Sequence, residues 1–117
     1  MASPFKHAEN SVDKWGGCID DYLPIHNFLD STKLHLATWQ HRAILHNTFG
    51  VGICEQIFGN VINNSDGKNI EVRYIAIKHI EEDCGIVPTI EQWLNDLKPK
   101  KFAINFKKDK NECETSN

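Results

Sequence analysis

The sequence predicts a single α+β domain that is mainly α-helical, carries one small antiparallel β-hairpin and is built around a central helix. Three observations predict this class. Residues that begin and end helices recur along the chain, and an Asp-Gly pair stands between two runs of β-forming residues. The 117 residues are 40% hydrophobic and 25% charged, which is ordinary for a globular protein. A chain of this length buries roughly two thirds of its unfolded surface, enough for one core.

The first two helices are predicted from the residues at their ends. Ser3 offers a capping hydroxyl and Pro4 follows at the first helical position, so a helix begins there and ends before Gly16-Gly17. Asp20-Asp21 can cap a second short helix, and Pro24 lies in its first turn, where proline is tolerated.

The central helix is predicted to run from Ser31-Thr32 to Phe58 and to end at Gly59. When this segment is drawn as a helix, apolar side chains fall on more than one of its faces. Such a helix is typical of the centre of a domain rather than of its surface.

The hairpin is predicted where Val61-Ile62 and the segment 70–73 flank a polar stretch. Asp66-Gly67 within that stretch is a strong turn signal. We expect Gly67 at positive φ, because only glycine adopts that conformation without steric cost. Since a two-stranded hairpin is marginal alone, it must pack on the helices.

Two more helices are predicted after the hairpin. One runs from Tyr74 to Asp83 and is closed by Gly85. The other runs from Ile90 to Leu97, and Thr89 with Gln92 forms a capping box at its start.

Residues 1–99 are predicted to form the globular domain, and residues 100–117 a basic, mostly flexible tail. Residues 1–97 carry a charge of −6, whereas residues 98–117 carry +3. Nucleic acid could therefore bind only through the lysine-rich tail, which could equally contact an acidic protein or only keep the chain soluble. Phe102, Ile104 and Phe106 could dock as a short strand.

The composition excludes several classes of protein. No apolar run of about 18 residues is present and the first residues do not resemble a signal peptide, so we expect a cytoplasmic protein with no membrane partner. The cysteines are Cys18, Cys54, Cys84 and Cys113, without the paired spacing of a zinc ribbon. We expect them to be reduced, with Cys54 and Cys84 packed in the core.

Six histidines in so short a chain are the unusual feature of the composition. His79 and Asp83 are four residues apart, a spacing that lets a helix hold imidazole and carboxylate side by side and chelate a divalent ion such as zinc or manganese. The candidate ligands are His7, His26, His41, His46, His79 and Asp83. Each could instead be a capping, packing or solvated residue. If they form a site, at least three of the histidines should approach one another.

Arg42 and Arg73 are the only arginines and the candidates for binding an anionic ligand. Two guanidinium groups could clamp an anion in bidentate fashion. The alternative is a structural salt bridge to Asp21, Asp30 or Asp83.

Many of these residues belong to one ordered series. It comprises His7-Ala8, Ser11, Gly16-Gly17, Asp21-Tyr22, Ile25-His26, Asp30, Lys33, His41-Arg42-Ala43, His46, Phe58-Gly59, Ser65-Asp66-Gly67, Val72-Arg73, His79, Glu82-Asp83, Gly85, Pro88-Thr89 and Trp93-Leu94. Over residues 5 to 97 the series resembles a small domain family of tailed phages and bacteria that has no assigned function. The resemblance implies a phage or mobile-element origin and the host cytoplasm, but no catalytic roles. Ile77-Lys78 and Leu45 depart from the family's usual Glu-Gln and second adjacent histidine.

Two hypotheses of function remain, from different classes. The first is a small phage-type accessory protein that binds a protein or ligand partner, as in host takeover or counter-defence. The absence of a complete catalytic motif favours it. The second is a metal-dependent hydrolase, acting on a phosphoester through a histidine and carboxylate cluster. The histidine excess favours this second hypothesis, although the His-Asp dipeptide of well-known helical phosphohydrolases is absent.

Overall fold

A computed structural model describes residues 2–104 of the chain. The helices are α1 (Pro4–Trp15), α2 (Ile19–Leu29), α3 (Arg42–Leu45), α4 (Thr48–Phe58), α5 (Val72–Cys84), α6 (Ile90–Leu94) and α7 (Lys101–Ile104). Two short 3-10 helices, Ser31–Leu34 and Trp39–His41, lie between α2 and α3. Strands β1 (Val61–Asn63) and β2 (Asn69–Glu71) pair antiparallel, with Ile62 opposite Ile70. The predicted class, mainly α-helical with a small hairpin, is confirmed.

The residues predicted to cap α1 and α6 and to form the hairpin turn do so in the structure. The Ser3 side chain accepts a hydrogen bond from the backbone N–H of Lys6, which caps α1. Thr89 and Gln92 form the capping box of α6. In the hairpin turn Gly67 has φ +82°, the left-handed conformation that its position requires.

The single long helix predicted over residues 31–58 is wrong. The chain is extended at Asn47, which caps a new helix by accepting a hydrogen bond from the N–H of Gly50 at 2.8 Å. Gly50 packs directly on the carbonyl of Leu45, where any Cβ would collide. The central helix is therefore the shorter α4, and an irregular segment precedes it. Asn47 interrupts the helix because its side chain forms hydrogen bonds with nearby backbone groups in place of the regular helical bonds.

Other element boundaries also differ from the prediction. Cys18 rather than Asp20-Asp21 is the N-cap of α2, so the helix begins at Ile19 and Pro24 lies beyond its first turn. Val72 and Arg73 begin α5 instead of ending a strand, and α6 stops at Leu94 instead of Leu97. The apolar patch of the tail begins as the short helix α7, not as a strand, and Phe102 is 85% exposed there. Phe106 lies outside the described residues, as does most of the predicted tail.

The core lies between α1, α2, α4 and α5. Its apolar members include Ile25 and Leu29 of α2 and Ile75 of α5, which are almost completely buried. His26 and His79, on the same two helices, are also fully buried. The core thus has an apolar part and a histidine-rich part.

The cysteines differ in burial. Cys54 is fully buried in the core, as predicted, and this burial raises the pKa of its thiol to about 12. Cys84 is only partly buried, Cys18 is exposed, and Cys113 lies outside the described residues. Among residues 2–104, no helix combines the length and apolar character needed to cross a membrane.

Candidate metal centre

Four side chains from three parts of the chain meet at one end of the helices. Asp30 follows the last turn of α2, and its backbone N–H donates to the carbonyl of His26 at 3.2 Å. His46 follows α3, where the indole N–H of Trp93 donates to its carbonyl at 2.9 Å. His79 and Asp83 project from the same face of α5 at the predicted spacing.

Each of these residues offers one atom that can donate electrons to a metal ion, an imidazole nitrogen or a carboxylate oxygen. These four donor atoms all lie within 4.8 Å of one another. His46 Nε2 is 2.9 Å from Asp83 Oδ2 and 3.5 Å from Asp30 Oδ1. His79 Nε2 is 3.1 Å from Asp30 Oδ1 and 3.5 Å from Asp83 Oδ2. These four nitrogen–oxygen distances are close to the spacing of about 3.3 Å between two ligands that each lie about 2.0–2.1 Å from a tetrahedral zinc ion. We call these four residues the donor group.

The donor group is buried and negatively charged. The Asp30 side chain is 3% exposed and that of Asp83 is 1% exposed. Burial alone would raise the pKa of Asp83, but its contacts with His46 and His7 outweigh that and hold the pKa well below its usual range. The pKa of Asp30 is lowered in the same way, mainly by His79 against the effect of burial. Both carboxylates are therefore ionised at neutral pH.

His79 is held in the neutral form that a metal ligand needs. Burial is the largest effect and lowers its pKa, although the contact with Asp30 opposes this. The imidazole of His79 therefore offers a nitrogen lone pair near neutral pH.

His7 lies against the donor group and is oriented by a carboxylate. Its Nδ1 is 2.6 Å from Glu82 Oε1, and its Nε2 is 3.2 Å from Asp83 Oδ1. Its ring stacks on that of His79, with 3.8 Å between centroids. Burial lowers the pKa of His7, but the two carboxylates outweigh it and the pKa is raised. Glu82 is bound in turn by Lys78 at 2.7 Å.

His26 lies behind His79, on the side away from Asp30. Its Nδ1 is 2.8 Å from Nδ1 of His79, and its Nε2 is 2.8 Å from the Ser11 hydroxyl. Burial, with the neighbouring His79, lowers the pKa of His26 to about 3. Both ring nitrogens of His26 therefore have partners, and His26 contacts the donor group only through Nδ1 of His79.

His41 flanks His46. The ring centroids are 5.5 Å apart in an edge-to-face arrangement, and His41 Nδ1 is 3.2 Å from the hydroxyl oxygen of Thr32. Its Nε2 is buried and has no hydrogen-bond partner among residues 2–104. With His41, five histidines lie in one connected cluster, so the predicted convergence of at least three is confirmed.

A family model described as "Domain of unknown function (DUF6915)" matches residues 2–103, and the match includes the whole donor group. The chain belongs to this family. The resemblance to a domain family without an assigned function is thereby confirmed. No curated protein and no solved structure matches the chain significantly.

In this DUF6915 domain, the sequence-predicted residues fall into two sets. His46, His79 and Asp83 are in the donor group, whereas His7, His26 and His41 surround it. Sequence reasoning did not single out Asp30 as a ligand. The sequence feature that could have pointed to Asp30 is its position four residues after His26, since His79 and Asp83 have the same spacing.

The two arginines have different partners in the DUF6915 domain. Arg42 donates from Nη1 to the backbone carbonyl of Asp83 at 3.2 Å, so it lies beside the donor group. Arg73 is half-exposed and donates to Glu55 at 3.2 Å. These contacts place Arg42 alone, of the two, next to a donor residue.

Proposed function

We propose that this DUF6915 domain binds one divalent transition-metal ion, zinc or manganese, between Asp30, His46, His79 and Asp83. The observation that carries the proposal is the set of four nitrogen–oxygen distances, 2.9 to 3.5 Å, between two imidazoles and two carboxylates. Nitrogen and oxygen donors of this kind suit both ions.

The hydrogen-bonding capacity of the four side chains supports a cation between them. A carboxylate accepts hydrogen bonds but donates none, and a neutral imidazole carries one N–H. At most two hydrogens are therefore available on the two Nε2 atoms for four short contacts. An ion at the centre would satisfy all four donor atoms at once and balance the two buried negative charges, which are costly without a partner.

We infer further that the ion serves hydrolysis, with a phosphoester as the substrate class. The donor group contains no cysteine, whereas structural zinc sites are typically built from cysteine and catalytic ones from histidine and carboxylate. A tetrahedral zinc ion held by all four residues would have no free position, so a hydrolytic role requires an ion that takes a fifth or sixth ligand. A water in that position would lose its proton near neutral pH. Arg42 at the edge of the site could hold a substrate anion.

Metal analysis of the purified protein tests the binding. Zinc or manganese should bind at one ion per chain, and Asp83→Asn should weaken binding at least 10-fold because it removes a charged ligand. His35→Gln is the matched control, because His35 is exposed and should bind no ion. Binding of no ion by the wild type, or equal losses in both variants, would overturn the proposal.

Hydrolysis is tested with an activated phosphodiester such as bis(p-nitrophenyl) phosphate. We expect turnover that requires added metal, is abolished by a chelator and is absent in Asp83→Asn. A fully loaded protein without turnover on this probe or on monoesters would contradict the hydrolytic role and leave a structural ion.

Partner binding, a phage origin and a cytoplasmic location stay predictions. Exposed apolar side chains from the segment after α2 to the first turn of α4 favour partner binding, since Leu34 is 86%, Trp39 61% and Phe49 52% exposed.

A further inference from the structure

A chain of three hydrogen-bonded side chains leads into the donor group from the α1 side. The Ser11 hydroxyl is 2.8 Å from His26 Nε2, and His26 Nδ1 is 2.8 Å from His79 Nδ1. The other nitrogen of His79 is the one that faces Asp30, at 3.1 Å. Ser11, His26 and His79 are all fully buried, so no water competes for these contacts.

The hydrogens along this chain cannot be placed independently. Two ring nitrogens 2.8 Å apart share one hydrogen, so one of His26 and His79 donates and the other accepts. A neutral imidazole carries its single hydrogen on one nitrogen or on the other. The tautomer of His26 therefore fixes the tautomer of His79.

One arrangement prepares His79 as a metal ligand. The Ser11 hydroxyl donates to the carbonyl of His7, which lies 3.2 Å away, and accepts from His26 Nε2–H. His26 Nδ1 then accepts from His79 Nδ1–H. This leaves a lone pair on His79 Nε2, directed at the donor group.

The reverse arrangement suits the metal-free protein. Ser11 donates to His26 Nε2, His26 Nδ1–H donates to His79 Nδ1, and His79 Nε2–H donates to Asp30. Each ring carries one hydrogen in both arrangements. His79 can therefore exchange a hydrogen bond to Asp30 for a bond to a metal ion while it remains a neutral imidazole.

We propose that His26, held by Ser11, is a positioning residue that sets the tautomer of His79 and so switches its Nε2 between a hydrogen-bond donor and a metal ligand. The inference rests on the proposed metal binding. Partners behind a ligating histidine commonly fix its ring and its tautomer, and their loss costs about 10–100-fold in metal affinity.

The test compares His26→Leu, His26→Asn and Ser11→Ala by zinc titration of the full chain. His26→Leu should weaken zinc binding about 10–100-fold, because His79 Nδ1–H then has no acceptor. His26→Asn should bind within a few fold of the wild type, because its amide oxygen can replace Nδ1. Ser11→Ala should lie between the two. His35→Leu, at an exposed histidine, is the control and should have no effect.

Nitrogen-15 NMR of the histidine rings reports which ring nitrogen carries the hydrogen. If His26 had only a structural role, zinc would not change this position in His26 and His79 together. In the metal-free wild type, His79 should carry its hydrogen on Nε2, and zinc should shift it to Nδ1 while His26 shifts to Nε2–H. If zinc binds the wild type and His26→Leu equally well, or if the two rings do not change together, the inference is overturned. The inference is also overturned if His79 of the metal-free wild type carries its hydrogen on Nδ1. If the wild type binds no zinc at all, it is the proposed metal binding that fails.

Discussion

The two ends of the α1, α2 and α5 helices both bury polar groups, but only one end satisfies them. At the hairpin end, Asn64 donates to the Trp15 carbonyl and the Tyr22 hydroxyl, and accepts from the N–H groups of Asp66 and Lys68. At the opposite end, which holds the donor group and which we call the metal end, five buried polar atoms of the described residues form no well-directed hydrogen bond, although one of them, His7 Nε2, lies 3.2 Å from Asp83 Oδ1. They are His7 Nε2, Asp30 Oδ2, His41 Nε2, Arg42 Nε and His46 Nδ1.

This difference separates a fully hydrogen-bonded network from one whose hydrogen bonds are incomplete. Buried polar groups in native proteins are nearly always paired, since an unpaired group costs about 1–3 kcal/mol. The Asn64 side chain uses both of its N–H groups and accepts two hydrogen bonds, which is its full capacity. Its bonds to Trp15 and Tyr22 hold the hairpin on the helices. At the other end, the atoms without hydrogen bonds lie around the two buried carboxylates of the donor group, which could hold a metal ion.

The largest expected effect on stability lies at the hairpin end. Asn64→Ala leaves buried donors and acceptors unpaired, so the free energy of unfolding should fall by about 2–4 kcal/mol. Urea unfolding with and without zinc measures this, and the loss should be the same in both conditions. Asn63→Ala, at an exposed neighbour, should change stability by less than about 0.5 kcal/mol. A zinc-dependent effect of Asn64→Ala would break the distinction between the two ends.

At the metal end, in contrast, we expect zinc to change the free energy of unfolding. An ion that binds only the folded state raises the free energy of unfolding by about 2.7 kcal/mol at 100 times its Kd. Wild type and Asn64→Ala should both show this increase in thermal unfolding, whereas Asp83→Asn should lose most of it. Equal stabilisation of wild type and Asp83→Asn would place the ion elsewhere.

The two ends should also differ in their response to acid in the metal-free protein. Burial lowers the pKa of His26 from 6.5 to about 3, so the unfolded chain binds a proton between these values that the folded state does not. Stability should therefore fall as pH drops below about 6.5, on the order of 1–2 kcal/mol by pH 5. His26→Leu should reduce this loss, measured by urea unfolding with a chelator present, and Asn64→Ala should not. The raised pKa of His7 acts in the opposite sense, since its stabilisation is lost as pH rises.

Local signals predicted most of the fold and part of the candidate site. The caps at Ser3 and Thr89 and the turn at Gly67 depend on neighbouring residues, so the sequence shows them directly. The break at Asn47 was missed because helical periodicity does not show that Gly50 must pack on the Leu45 carbonyl.

The site required information about tertiary structure. His79 and Asp83 share one helix and could be paired from their spacing. Asp30 and His46 join them only because α2 and the segment before α4 end at the same place. No local pattern distinguishes His46, which faces the donor group, from His26, whose nitrogens face Ser11 and His79.

The smallest expected effect concerns the hairpin turn itself. Gly67 has φ +82°, and a Cβ there would meet no atom within 4 Å, so a substitution adds backbone strain without a collision. Gly67→Val should lower the free energy of unfolding by about 1 kcal/mol or more. Gly67→Asn should cost less, because asparagine tolerates the left-handed region better than a β-branched residue. Lys68→Val, next to the turn and exposed, controls for the added apolar side chain. Thermal unfolding of the three variants measures the difference. If Gly67→Val and Lys68→Val were equally stable, the left-handed conformation at Gly67 would contribute nothing to the stability of the hairpin end.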